Sequence, residues 1–94
     1  MTKKILQIQF ERKADKFFNK GKIDKIEVSD LIIKSVRKLG GIDENIDVKY
    51  LKGELKGYLR IRKGDLRIIY RISEDENLII VKVVNIDFRG SVYK

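Results

Sequence analysis

The chain has 94 residues, with 22 Lys and Arg against 14 Asp and Glu, which gives a formal net charge of +8 at pH 7. This length allows one domain, 1–94, and the charge favours an anionic partner, with nucleic acid or an acidic protein ranked ahead of a membrane surface. The sequence has no cysteine and no histidine, which excludes disulfides, imidazole acid–base catalysis and metal sites built on these residues. We expect no metal and no cofactor.

The N-terminal segment MTKKILQIQF contains only a short alternating apolar run. Such a run predicts neither a signal peptide nor a membrane span. The lack of cysteine fits a reducing compartment. We therefore expect a cytoplasmic protein with no membrane partner.

The first half of the chain predicts one strand and two helices. Residues 5–10 (ILQIQF) alternate apolar and polar side chains, as a half-buried strand does. Residues 11–21 have apolar side chains at helical spacing, which predicts a first helix that ends at Gly21. Residues 24–41 predict the clearest helix, with Asp24 as N-cap and Gly40 or Gly41 as a left-handed stop. Its inward stripe consists of Val28, Leu31, Ile32, Ser35, Val36 and Leu39.

The second half predicts strands. Residues 57–63 and 65–72 flank a Lys63–Gly64 turn, residues 73–77 form a second turn, and residues 78–88 (LIIVKVVNIDF) form a nearly continuous apolar run. Such a run suits a central strand that is covered on both faces. We predict an α+β fold of strand, helix, helix and three-stranded antiparallel meander, with both helices packed on one face of the sheet.

Strand alternation places a set of arginines on the face that turns away from the helices. Leu59 and Ile61 of the first hairpin strand, and the apolar residues of the second, must point to the same core. We expect Ile61 to pair with Leu66, which sets Arg60 opposite Arg67 and Asp65 opposite Arg62. The outward set is then Tyr58, Arg60, Arg62, Arg67 and Arg71.

Like charges directly opposed on a sheet destabilise it, so this face indicates either a solvated surface or a phosphate-binding site. Residues 49–71 contain eight basic side chains and two acidic ones, a local net charge of +6. Both interpretations stay open on the pattern alone.

The segment YLKGELKGYLRIRKGDLRIIYRI (50–72), followed by VVNIDFRGSVYK (83–94), resembles the RelE/ParE superfamily of toxins from toxin–antitoxin pairs. The resemblance covers residues 47–94 and depends on the LKG before the hairpin, the basic hairpin and the terminal R-x-x-x-Y. It implies a RelE-like, ribosome-dependent messenger-RNA endonuclease. The implied partners are messenger RNA on the ribosome and a cognate antitoxin, for which the off-stripe Ile33 is a candidate contact.

The resemblance also implies the site residues. By position, the catalytic set comprises Arg60, Arg62, Arg67, Arg89 and Tyr93. Side chains for binding RNA are Lys49, Lys52, Lys56, Lys63 and Arg71. Some relatives have lysine at positions 60 and 62, and many have histidine or another polar residue at Phe88.

The resemblance and the charge leave other functions open. A ParE-like toxin would inhibit DNA gyrase on a similar scaffold, although such toxins typically lack the full basic set. A non-catalytic module could use the same basic face to bind RNA or the ribosome. A decayed member of the superfamily would bind its antitoxin without cutting RNA.

Overall fold

The computed structural model of the chain describes residues 4–21 and 23–88. The strands are β1 (Ile5–Phe10), β2 (Asp47–Tyr50), β3 (Leu59–Lys63), β4 (Leu66–Glu74) and β5 (Leu78–Phe88), and the helices are α1 (Arg12–Phe17) and α2 (Lys25–Leu39). Short 3-10 turns follow α1 and β2, at Phe18–Lys20 and Gly53–Leu55.

The five strands form one mixed sheet in the order β1-β5-β4-β3-β2. Strand β1 pairs with β5 in parallel, and the remaining neighbours are antiparallel. The α+β prediction and its order of strand, helix, helix and meander are confirmed. The short edge strand β2 was not predicted, because its first residue belongs to the acidic run IDENID (42–47), which was interpreted as a connector, and four residues give too little alternation to indicate a strand.

A single hydrophobic core lies between the helices and one face of the sheet. It joins Ala14 and Phe17 of α1 to Val28, Leu31 and Ile32 of α2. The sheet contributes Leu59, Ile61, Leu66, Ile68, Tyr70, Val81, Val83 and Ile86. The predicted placement of both helices on one face is therefore correct.

The ends of α2 follow the predicted capping chemistry. The Asp24 carboxylate accepts a hydrogen bond of 2.9 Å from the backbone N–H of Glu27. At the other end, Gly41 adopts a φ of 97°, a left-handed conformation that favours glycine. Between these ends, Val28, Leu31, Ile32 and Ser35 are buried and Val36 and Leu39 are half-buried, as the predicted stripe requires.

The hairpin between β3 and β4 is tighter than predicted. Lys63 pairs with Leu66, so the turn consists of Gly64 and Asp65, and Gly64 has the positive φ of 58° that such turns favour at this position. The alternation prediction was right, but the predicted register was wrong by two residues on one strand. Arg62, not Arg60, lies opposite Arg67, and Arg60 lies opposite Ile69.

Strand β5 lies inside the sheet, between β1 and β4. The prediction that both of its faces are covered was wrong. Both helices pack on one side, and on the other side Leu78, Ile80 and Lys82 are half-buried. None of the helices in the described part of the chain is both long and apolar enough to cross a bilayer.

Candidate nucleic-acid interface

The face of the sheet opposite the helices carries a cross-strand row of charged side chains. The register brings Asp47 of β2 beside Arg62 of β3, Arg62 beside Arg67 of β4, and Arg67 beside Asp87 of β5. Residues that are directly opposed on antiparallel strands have Cβ atoms about 5 Å apart and project to the same side. We call Arg60, Arg62 and Arg67, with Asp47 and Asp87, the arginine row.

Arg60 is the most enclosed of the three arginines. Its side chain is 11% exposed, its Nη2 lies 3.2 Å from Asp47 Oδ1, and its buried Nε has no hydrogen-bond partner within the described residues. Across the sheet it faces Lys49 on β2 and Ile69 on β4. An unpaired buried donor costs free energy, so stability alone does not explain the placement of Arg60.

Arg67 is held by a two-point ion pair with Asp87. Its Nε donates to Asp87 Oδ1 at 3.3 Å and its Nη2 donates to Oδ2 at 3.0 Å. The side chains are 33% and 30% exposed. This is the fork geometry by which guanidinium binds carboxylate or phosphate oxygens.

A β-bulge in β5 directs Asp87 to the arginine row. Ile69 pairs with Asn85 but the next residue, Tyr70, pairs with Val83, so Val84 is an extra residue on β5. Before the bulge Val81 and Val83 are buried in the core, and after it Ile86 takes that position. The bulge therefore moves Asp87 to the open face; bulges often re-aim side chains in this way.

Of the remaining basic residues of the predicted site, Arg71 and Lys49 share the face of the arginine row, whereas Lys63 does not. Arg71 lies on the same face, with Nη2 3.9 Å from the Glu11 carboxylate, and Lys49 is exposed opposite Arg60. Lys63, the last residue of β3, lies on the helix side of the sheet and lines a cleft with α2 residues. Lys52 and Lys56 are exposed on either side of the second 3-10 turn. Arg89 and Tyr93 lie outside the described residues.

Sequence reasoning missed the two carboxylates of the row. Asp47 was assigned to an acidic connector, and Asp87 was assigned to an apolar strand. We expected Asp65 alone to relieve the repulsion among the arginines; instead it lies in the turn, and Asp47 and Asp87 flank Arg62 and Arg67 at the two ends of the row. The signal that could have found Asp87 is its break in the apolar run of residues 78–88.

The chemistry available to this row is anion binding. Guanidinium groups donate hydrogen bonds and stay protonated, so they stabilise negative charge but do not accept a proton. Within residues 4–21 and 23–88, no group of three or more acidic side chains is arranged to hold a metal ion. Burial raises the pKa of Tyr70 above its ordinary value of 10.0, against the opposing effect of its hydrogen bond with Ser35, but Tyr70 lies on the helix side of the sheet, in the core.

The architecture defines a class of small α+β proteins in which two helices cover one face of a mixed five-stranded sheet. It matches the RelE/ParE toxin fold, as the resemblance implied. A YoeB/ParE toxin from Agrobacterium tumefaciens superposes with a TM-score of 0.63 at 18% identity, over 87% of this chain and 97% of that chain. YafQ from E. coli gives a TM-score of 0.60 at 14% identity, over 96% of this chain and 100% of that chain.

The toxin fold is also found in an archaeal complex. A RelB–RelE antitoxin–toxin complex from Methanococcus jannaschii superposes with a TM-score of 0.55 at 24% identity, over 90% of this chain and 94% of that chain. No protein-family model and no curated protein sequence matches this chain.

Proposed function

We propose that the protein is the toxin of a toxin–antitoxin pair and that it acts as a RelE-like, ribosome-dependent messenger-RNA endonuclease in the cytoplasm. The observation that carries this proposal is the opposition of Arg62 and Arg67, with Arg60 beside them, on a face that no described helix covers. Opposed like charges cost a sheet several tenths of a kcal/mol, and phosphate is the ligand that three adjacent guanidiniums suit best.

The proposed reaction is attack of an RNA 2′-hydroxyl on the adjacent phosphate. The oxygen–phosphorus bond to the 2′-oxygen forms, the bond to the 5′-oxygen breaks, and the 2′-hydroxyl loses its proton while the leaving oxygen gains one. Arg60 and Arg67 would hold the non-bridging oxygens, where negative charge develops in the transition state. Arg62 and the surrounding lysines would bind flanking phosphates.

The proton-transfer roles are assigned to Arg89 and Tyr93, which belong to the proposed site by the resemblance alone. Tyr93 would stack on a base or accept the proton, and Arg89 would lie near the leaving oxygen. Because arginine and tyrosine have high pKa values, much of the rate would come from placing the 2′-hydroxyl in line with the leaving group. Dependence on the ribosome, which can orient the message, follows naturally from such a site.

The proposed partner is an antitoxin with acidic residues that covers the arginine row or displaces the segment holding Tyr93. The similarity to the toxin subunit of an antitoxin–toxin complex supports this partner. Ile33, 37% exposed on α2 and off its buried stripe, stays a candidate contact.

The test uses purified ribosomes, a defined message and mapping of the cut ends. Arg67→Ala is expected to lower cleavage by about 100-fold or more, because one preorganised charge donor at a developing oxyanion is worth that much. Arg37→Ala is the matched control, since Arg37 also pairs with a carboxylate (Glu44, 3.0 Å) but lies on α2. Equal cleavage by both variants would remove Arg67 from the site.

Two further readouts separate the other functions. A ParE-like toxin would produce DNA breaks on induction in cells and leave messages intact. A non-catalytic binding module would protect RNA without new 5′ ends, and removal of Tyr93 would affect it little.

A further inference from the structure

The ion pair of Arg67 with Asp87 occupies the edge of the guanidinium that a phosphate would use. Both oxygens of the Asp87 carboxylate are engaged, one by Nε at 3.3 Å and one by Nη2 at 3.0 Å. Two non-bridging oxygens of a phosphodiester present the same pair of acceptors to the same two donors. The carboxylate and an RNA phosphate therefore cannot both take this edge.

The surroundings of the pair favour exchange of one anion for another. Arg62 lies directly opposite Arg67 on the other side, and Asp47 makes its ion pair with Arg60 rather than with Arg62. A negative group beside Arg67 lowers the repulsion between Arg62 and Arg67. Asp87 supplies that group in the free protein, and an RNA phosphate can supply it in a complex.

We propose that Asp87 is an internal competitor of the RNA phosphate: it holds Arg67 in the free protein and releases it when a phosphodiester chain binds. This inference depends on the proposed function, because it takes RNA as the ligand of the arginine row. A tethered carboxylate competes at a high effective concentration, of the order of millimolar or above. A free phosphate ion or nucleotide displaces it poorly, whereas an RNA chain that contacts several basic side chains at once displaces it.

The bulge at Val84 is what makes this competition possible. If β5 continued with regular alternation and no bulge, Asp87 would share the side of Val81 and Val83 and point into the core. A core carboxylate would be costly to bury, and it could not reach Arg67. The bulge and the carboxylate thus act together on the arginine row.

The test measures binding of a 2′-O-methyl RNA oligonucleotide, which cannot be cleaved, to wild type, Asp87→Asn and Asp65→Asn. Asp65→Asn is the matched control, because it also removes one negative charge, from the turn that joins β3 and β4, without removing an ion pair of the arginine row. We expect Asp65→Asn to tighten binding about threefold, as loss of an exposed charge does. Asp87→Asn is expected to tighten binding by about tenfold or more, because it also removes the charged carboxylate that competes for Nε and Nη2 of Arg67.

Equal tightening by the two variants would show that only net charge matters and would overturn the inference. Weaker binding by Asp87→Asn would overturn it as well, since Asp87 would then position Arg67 for RNA. A second measurement needs no variant: in the NMR spectrum of the wild type, the Arg67 Nε–H resonance should move when the oligonucleotide is added. Millimolar inorganic phosphate should leave it in place, and the opposite pattern would contradict the proposal.

These outcomes are distinguishable from failure of the proposed function. A wild-type protein that binds the oligonucleotide but leaves ribosome-bound message uncut would refute the nuclease and leave the competition intact. Cleavage by the wild type together with equal binding by both variants would refute the competition alone. A wild type that does not bind the oligonucleotide would refute the competition.

Discussion

The two faces of β4 share one backbone and differ in chemistry. Leu66, Ile68 and Tyr70 point into the core beneath the helices, whereas Arg67 and Arg71 point to the open face. On the core side the polar atoms are satisfied inside the protein, for example between the Tyr70 and Ser35 hydroxyls at 2.7 Å. On the open side Arg67 and Arg71 instead pair with the carboxylates of Asp87 and Glu11. The comparison teaches that one-residue alternation places a packed core and a charged surface on opposite sides of the same strand.

The largest effect on stability is expected from neighbouring isoleucines on opposite faces. Ile68 is fully buried, so Ile68→Ala should lower the free energy of unfolding by about 2–5 kcal/mol. Ile69 is half-buried on the arginine face, and Ile69→Ala should cost about 1 kcal/mol. Urea unfolding measures both; if Ile68→Ala does not fold, Ile68→Val, at about 1 kcal/mol, is compared with Ile69→Val, which should cost about half as much because Ile69 is only half-buried. Equal costs would show that the two faces do not differ in this way.

The next effect concerns the buried hydroxyl pair. Because Ser35 Oγ donates to the Ile32 carbonyl at 2.7 Å, Tyr70 Oη is the donor to Ser35 Oγ. Ser35→Ala leaves the buried Tyr70 hydroxyl without its partner and should cost about 1–3 kcal/mol. Tyr70→Phe removes that hydroxyl and leaves Ser35 bonded to Ile32, which should cost about 1 kcal/mol. A larger loss for Tyr70→Phe in chemical denaturation would contradict this donor assignment.

Alkaline pH should weaken the core side through Tyr70. Burial raises the pKa of Tyr70 above 10.0 in the folded protein, so above that pH the unfolded state binds fewer protons and the free energy of unfolding falls. The contribution of Tyr70 is fully present below the unfolded pKa and declines as pH rises toward the folded value. Unfolding of wild type and Tyr70→Phe between pH 8 and 11 checks this. The wild type should lose more stability than the variant, and parallel curves would refute the prediction.

The smallest effect is expected at the border of the open face. The Arg71 and Glu11 side chains are 45% and 47% exposed and lie 3.9 Å apart. Exposed pairs of this kind contribute about 0.5 kcal/mol or less. Glu11→Gln should therefore leave thermal unfolding almost unchanged. A double-mutant cycle with Arg71→Gln that gave more than about 1 kcal/mol of coupling would show a stronger pair than this geometry allows.

The error in the hairpin register shows where sequence reasoning ended. Alternation correctly assigned Arg60, Arg62 and Arg67 to one face, because side-chain direction on a strand depends only on position along that strand. It did not determine which arginines meet, because that depends on turn length. The observed two-residue turn, Gly64–Asp65, and the longer turn implied by the predicted pairing of Ile61 with Leu66 both preserve the alternation. They differ by two residues in which side chains are paired.

The missed carboxylates have a related cause. The charge count over residues 49–71 began just after Asp47 and ended well before Asp87, so neither carboxylate was counted with the basic hairpin. In the sheet, β2 and β5 flank that hairpin and bring both carboxylates to the arginines. Charge along the chain is therefore a poor guide to charge across a sheet.

The sequence by itself determined the order of the elements other than β2, the caps and inward stripe of α2, and the division of each hairpin strand into a core side and a basic side. These features depend on contacts within a few residues. Only the tertiary structure decided that Arg62 faces Arg67, that β2 extends the sheet, and that the bulge at Val84 turns Asp87 toward Arg67. Those outcomes depend on pairing between strands up to about twenty residues apart, where one extra residue reverses which face a side chain occupies.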